Sequence, residues 1–138
     1  MSFSVPGAVG AKFAKPDKRP IVIVGDGAFQ MTGSEFCSHV RYGVNSIIII
    51  LNNRGYSTER AIMEGKFNDV HNWQYEKITD LMNGGRGFWS GTVEGFDWMF
   101  KKALGDEDDS YVLNVQIDPS DQSDVMKSIA HKMCQKSL

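Results

Sequence analysis

The sequence is poor in cysteine: Cys37 and Cys134 are the only two in 138 residues. They are too few and too far apart for a disulfide framework or a thiolate metal cluster, and are expected to be free thiols in a reducing, cytoplasmic compartment. Long apolar runs are also missing. The longest, Ile47 to Leu51, falls well short of the ~20 residues that a membrane-crossing helix needs. The start of the chain has no basic segment followed by an apolar stretch, so neither a membrane nor an export route is expected. A basic surplus is absent as well. Fifteen Lys and Arg against 17 Asp and Glu give a net charge of -2, which removes the electrostatic footprint of a nucleic-acid partner. No repeat or low-complexity segment interrupts the chain.

What is present is the composition of one compact domain over residues 1–138, with 41% hydrophobic residues, enough to bury a core. Val5 to Ala14 is small and apolar and suits a helix packed on a sheet, with Pro6 tolerated in its first turn. Pro20 to Val24 is β-branched and apolar on both faces, the pattern of a strand in the middle of a parallel sheet. It ends at Gly25-Asp26-Gly27. Thr32 and Glu35 then have the spacing of a capping box opening a helix that stops near Gly43. Ser46 to Leu51 is a second buried strand, breaking into the polar turn Asn52-Asn53-Arg54-Gly55. Short helices are expected after Ser57 and around Tyr75 to Met82, a strand from Phe88 to Val93 and a helix from Glu94 to Leu104. The acidic loop Gly105 to Ser110 should stay solvated, and Tyr111 to Ile117 reads as a further strand. Asp118-Pro119-Ser120 caps a last helix with Val125, Ile129 and Met133 in one apolar stripe. These elements predict a three-layer α/β/α domain with a mostly parallel sheet, whose ligands bind beyond the carboxyl ends of the strands.

Asp26 and Asn53 both lie at such ends, and sequential βαβ strands are often neighbours, so the two turns should face one another. Glycines beside Asp26 let backbone N–H groups approach a phosphate, while its carboxylate supplies a hard oxygen of the kind Mg²⁺ prefers. The Asn53 amide oxygen and the Gly55 carbonyl add two more, and Mg²⁺ completes its shell with phosphate oxygens and water. The pairing predicts a metal-bridged diphosphate. Gly-Asp-Gly alone makes many tight turns, and the second turn is what changes the reading.

Gly25-Asp26-Gly27, the stretch 28–51 and then Asn52-Asn53 resemble the thiamine diphosphate signature, Gly-Asp-Gly followed after two dozen or so residues by Asn-Asn. Phe3 to Ala8, Arg41-Tyr42-Gly43, Leu51 to Arg60 and Asn68 to Trp73 are similar to the 2-oxo acid decarboxylases, the pyruvate and indolepyruvate decarboxylase group. The resemblance covers nearly the whole chain. It implies that Asp26, Asn53 and the main-chain oxygen of Gly55 hold Mg²⁺, and that Gly25, Gly27 and Ala28 line the cofactor diphosphate. It implies further that Glu59 faces the substrate in decarboxylation and protonation, that Tyr56 and Thr58 lie against the cofactor, and that Asn52 orients the turn.

Members of that group are longer, and their cofactor sits between this type of domain and a pyrimidine-binding domain of a partner subunit. The resemblance therefore implies a homo-oligomer acting on a 2-oxo acid once a pyrimidine-binding domain or subunit completes it. The Glu that contacts the aminopyrimidine and the family's His-His pair belong to that other domain, and His39, His71 and His131 do not replace them. The chain is expected to begin partway into the family domain. Two alternatives remain: a non-catalytic binding or assembly module derived from the family, and a carboligating relative such as acetolactate synthase. A dinucleotide enzyme lacks its G-x-G-x-x-G after the first strand. Plain packing is the expected role of Phe36, Val40 and the loop carrying His71 and Trp73, and of a satisfied or surface His39. Trp89, Phe96, Trp98 and Phe100 read first as core and second as an interface patch.

Overall fold

A computed structural model describes residues 2–121, 123–125 and 127–128. Ile129 and Met133 of the expected last helix, and His131 and Cys134, lie outside those residues. Strands β1 (Ile21–Gly25), β2 (Ile47–Asn52), β3 (Arg86–Ser90) and β4 (Tyr111–Gln116) form one sheet in the order β1-β2-β4-β3. Every pairing is parallel, as the runs of β-branched residues predict. Helices α1 (Ser4–Ala14), α2 (Asp26–Thr32), α3 (Phe36–Arg41), α4 (Ser57–Ile62), α5 (Ile78–Leu81) and α6 (Val93–Gly105) complete the α/β arrangement.

The register aligns Ile47, Ile48, Ile49 and Ile50 with Tyr111, Val112, Leu113 and Asn114. Alternation then sends Ile48, Ile50 and Val112 to one face, against Val5, Ala8, Phe29 and Phe36, and Ile47, Ile49 and Leu113 to the other, against Met99 and Ala103 of α6. Each fully buried isoleucine contributes about 1.5–3 kcal/mol relative to exposure. Phe36 and Val40 pack in the core as expected. Phe96 and Phe100 of α6 are partly buried and pack against the second cluster, whereas Trp89 and Trp98 stay more than half exposed.

Four expectations need correction. β1 is an edge strand, not a central one: Val22 and Val24 are buried, but Ile21 and Ile23 are 51% and 63% exposed. The run is apolar on both faces, yet α6 covers only β2, β3 and β4 on that side of the sheet. The helix after β1 starts at once, at Asp26, rather than at a capping box six residues on. Thr32 does not cap; its hydroxyl donates to the Ser2 carbonyl at 2.9 Å, and a 3₁₀ turn at Gly33–Glu35 passes the chain to α3. The acidic loop is tied down rather than merely solvated. Tyr111 Oη donates to Asp106 Oδ2 (2.7 Å), Arg86 Nε to Asp109 Oδ2 (3.2 Å), and Arg19 reaches the carbonyls of Ala103 (2.5 Å) and Asp109 (2.9 Å). The strand expected to Val93 also stops at Ser90, where Thr92 caps α6 by accepting from Gly95 N.

His39 is a satisfied core histidine. It is fully buried, with Nε2 2.8 Å from the Val5 carbonyl and Nδ1 2.7 Å from Ser46 Oγ, so it joins α1 to the start of β2. The carbonyl can only accept, which fixes the proton on Nε2 and leaves Nδ1 to accept from Ser46. Burial pushes its pKa below the ordinary value, with the Val5 carbonyl and the Glu35 charge opposing. The unfolded chain therefore binds the extra proton first, and stability present above about pH 6.5 falls as pH drops through the lowered folded value. In a thermal unfolding series from pH 7.5 to pH 5 the advantage of the wild type over His39→Gln is expected to shrink. His39→Gln should lose about 1–3 kcal/mol at pH 7.5 and show a flatter slope below it.

Candidate functional site

The parallel pairing of β1 with β2 sets Gly25 opposite Leu51, so the turns after the two strands open side by side. Gly25, Asp26, Gly27, Ala28, Asn53, Gly55, Tyr56, Thr58 and Glu59 all line one cleft of about 320 Å³. Every site residue expected from the sequence is thus brought together. Leu51, Ser57, Ile117 and Asp121 complete the lining. The last two follow β4, whose end is level with that of β2 because Ile117 N donates to the Asn52 carbonyl at 3.0 Å. The rule that ligands lie past strand ends applied to that turn too, but only the sheet order makes β4 the neighbour of β2.

Asp26 is 1% exposed at the floor of the cleft. Gly27 N donates to its Oδ1 (2.7 Å) and Gly55 N to its Oδ2 (3.2 Å), which joins the two turns directly. Burial pushes the carboxyl pKa above its ordinary value, while the N–H groups of Gly27, Arg54 and Gly55 pull the other way. A carboxylate so placed lacks a compensating positive charge.

The inward atom of the Asn53 amide lies 3.3 Å from Asp26 Oδ1 and 2.8 Å from the Gly55 carbonyl oxygen, and its outer atom meets Ser57 Oγ. Two orientations follow. With nitrogen inward, the amide donates to both oxygens. With oxygen inward, a carboxylate, an amide and a main-chain carbonyl converge, a donor set that suits a hard divalent cation. The Ser57 hydroxyl both donates and accepts, so it serves either state. No group of three or more His, Cys, Asp or Glu side chains forms a metal cluster among the described residues; a cation here relies on neutral oxygens.

Two glycines are required by close approach. A Cβ on Gly27 would enter the Tyr56 ring, and one on Gly55 would stand 2.6 Å from the Asn68 carbonyl oxygen. Asn52 is buried beside the cleft and donates to Asn72 Oδ1 (2.8 Å) and Asn114 Oδ1 (3.1 Å). Its own Oδ1 has no partner. Neither His39 nor His71 lines the cleft. Tyr56 and Glu59 also border a second, apolar cavity of about 510 Å³ walled by Met31, Ile62, Met63 and Phe67. The Glu59 carboxyl, half-buried, therefore stands between a polar and an apolar space.

Residues 1–115 match the family model for the thiamine pyrophosphate enzyme, C-terminal TPP binding domain. The chain belongs to this family. Thiamine pyrophosphate is another name for thiamine diphosphate. This binding domain is 35% identical over 125 residues to a probable pyruvate decarboxylase of Schizosaccharomyces pombe, covering 88% of this chain and 22% of that protein. It is 38% identical over 93 residues to a pyruvate decarboxylase of Neurospora crassa, covering 67% of this chain and 16% of that one. A solved thiamine diphosphate-dependent 4-hydroxybenzoylformate decarboxylase of Rhodococcus jostii matches with a TM-score of 0.76 and 30% identity, over 87% of this chain and 24% of its own. The domain thus spans about a fifth of the length of these relatives.

The buried charge of Asp26 gives the thiamine diphosphate-binding domain a measurable signature. Because its pKa is raised, the ionised carboxylate destabilises the fold at neutral pH, and stability is gained as pH falls through the folded pKa. Asp26→Asn, which has no ionisable group, is expected to lose this gain, so that the thermal midpoint of the metal-free wild type rises relative to the variant as pH falls from 7.

Proposed function

We propose that this chain is the cofactor-binding domain of a non-oxidative, thiamine diphosphate-dependent 2-oxo acid decarboxylase, with Mg²⁺ bridging the cofactor diphosphate to the protein. The carrying observation is the convergence of the Asp26 carboxylate, the Gly55 carbonyl and the Asn53 amide, whose oxygen-inward orientation completes an oxygen set, in a cleft that Gly25, Gly27 and Ala28 also line. Three protein oxygens leave an octahedral cation room for diphosphate oxygens and water. The backbone at Gly25–Ala28 would hold the diphosphate, and Tyr56 and Thr58, which line the same cleft, would contact the cofactor. When bound, thiamine diphosphate supplies the electron sink that lets a bond beside a carbonyl break.

Glu59 is the catalytic residue of this reading, holding or delivering a proton on the substrate side. Its support is its position at the border of the polar cleft and the apolar cavity, which offers room for the side chain of a 2-oxo acid. The domain spans 22% of the fission-yeast relative, and the reading makes it incomplete as a catalyst until a pyrimidine-binding domain or subunit faces the cleft. The protein functions in the cytoplasm on this reading; no helix among the described residues is long and apolar enough to cross a membrane.

Calorimetric titration of thiamine diphosphate into the purified chain tests the binding. Heat of binding is expected with Mg²⁺ and should vanish with chelator, and Asp26→Ala should weaken it by at least about a hundredfold. Metal-independent binding, or an unchanged Asp26→Ala, would contradict the proposal.

A second reading, a non-catalytic assembly module that self-associates, is favoured by the uncovered face of β1, where Ile21 and Ile23 are 51% and 63% exposed. Sedimentation of the wild type is then expected to give a homo-oligomer that Ile23→Lys reduces to a monomer. A tight homodimer without cofactor affinity would favour this reading over the first.

A further inference from the structure

The oxygen set depends on the Gly55 carbonyl, and that carbonyl sits on a turn that does not hold itself. Arg54 adopts a left-handed backbone, φ 59°, a conformation that strains a non-glycine residue. Such a conformation persists when surrounding contacts over-determine it. Here the contacts come from the segment after α4. Tyr56 N donates to the Asn68 carbonyl (2.9 Å) and Val70 N to the Arg54 carbonyl (3.1 Å), making an antiparallel bridge between Gly55 and Asp69.

Arg60 joins these parts. Its guanidinium donates to the Arg54 carbonyl (3.2 Å) and to Asp69 Oδ1 (2.6 Å), and its Cζ lies 2.7 Å from where a Gly55 Cβ would stand. The Arg60 side chain is 14% exposed and that of Asp69 62%, so the guanidinium is held within the turn while its partner carboxylate meets water. The buried Asn68 closes the far end, donating from Nδ2 to the Met63 carbonyl at 2.8 Å. Glu59 precedes Arg60 on α4, so the anchor of the turn also sets the carboxyl between the two cavities.

Resting on the reading of the site given above, we infer that Arg60 is a positioning residue: with Asp69 it locks the turn that presents the Gly55 oxygen to the cation and fixes α4, and with it Glu59, against that turn. Asp69 balances the guanidinium, so the lock does not oppose a divalent cation by net charge. Both bonds of Arg60 leave one nitrogen, Nη2, so lysine can replace it in part, but its slender ammonium does not fill the space that the guanidinium occupies beside Gly55.

The test compares the full chain with Arg60→Ala, Arg60→Lys and Asp69→Asn. Mg²⁺ is titrated calorimetrically at saturating thiamine diphosphate, and amide hydrogen exchange is followed without cofactor or metal. Arg60→Ala is expected to raise the Mg²⁺ requirement by about ten- to a hundredfold. At saturating Mg²⁺ its cofactor affinity should return to within about threefold of wild type. Arg60→Lys and Asp69→Asn should fall between. Without ligands, the Tyr56 and Val70 amides should exchange faster in Arg60→Ala while Leu113 in β4 is unchanged. An unchanged Mg²⁺ requirement, a cofactor affinity that stays low at saturating Mg²⁺, or acceleration spread equally to Leu113 would each overturn the inference. Should Arg60→Ala fail to fold, Arg60→Lys and Asp69→Asn decide by the same two readouts. A wild type that binds no Mg²⁺ would defeat the reading of the site, and protected Tyr56 and Val70 amides in Arg60→Ala would separately defeat the lock.

Discussion

The site depends on the parallel register between β1 and β2. Ile21 pairs with Ile47 and Gly25 with Leu51, so both strands end at the same height and their following turns share one space. A slip of a single residue would turn Val22 and Val24 outward and send Ile21 and Ile23 into the core. It would also move Asp26 along the sheet relative to Asn53, and the hydrogen bond from Gly55 N to Asp26 could not form. The buried isoleucines of β2, packed on both faces, therefore hold the geometry of polar residues that lie beyond them.

The sheet changes character along its length. Its middle is aliphatic, and its carboxyl end becomes amide-rich: Asn52 contacts Asn72 and Asn114, and Asn114 donates to Glu76 Oε2 at 2.8 Å. Buried amides are tolerated because almost every polar atom finds a partner. The exception among the described residues, Asn52 Oδ1, lies at the residue before Asn53. Polar groups at this end are thus fixed by one another, whereas the Asn53 amide retains two usable orientations.

Much of this was legible in the sequence. Strands of Ile and Val that break at Gly25-Asp26-Gly27 and Asn52-Asn53-Arg54-Gly55 announced both the parallel sheet and the meeting of the turns, because pattern and turn chemistry are local properties. The place of β1 at an edge was not legible, since Ile21 and Ile23 carry the same side chains whether or not a layer covers them. Ile117 and Asp121 were missed because their approach to the cleft depends on β4 lying beside β2. Arg60 and Asp69 were invisible as a pair for the same reason: their contact is made through a segment that folds back, and neither spacing nor composition marks it. The acidic loop misled because a run of carboxylates ordinarily stays in water, and here Arg86, Tyr111 and Arg19 are waiting for it.

The strand order β1-β2-β4-β3 also dictates a sequence of events. β4 lies between β2 and β3, so β3 has nothing to pair with until the chain has been made and released through Gln116. The first two strands can meet early, but half of the sheet must wait for its last-made member. Contacts between such distant segments close large loops before they are rewarded, which slows folding. During that interval α6 has been made but lacks the strand it packs on, and Ile47 and Ile49 lack Tyr111 and Leu113 beside them. A ribosome-bound or cut chain ending before Tyr111 would present a naked aliphatic face, and the domain's hazard of aggregation is concentrated in that window of its synthesis.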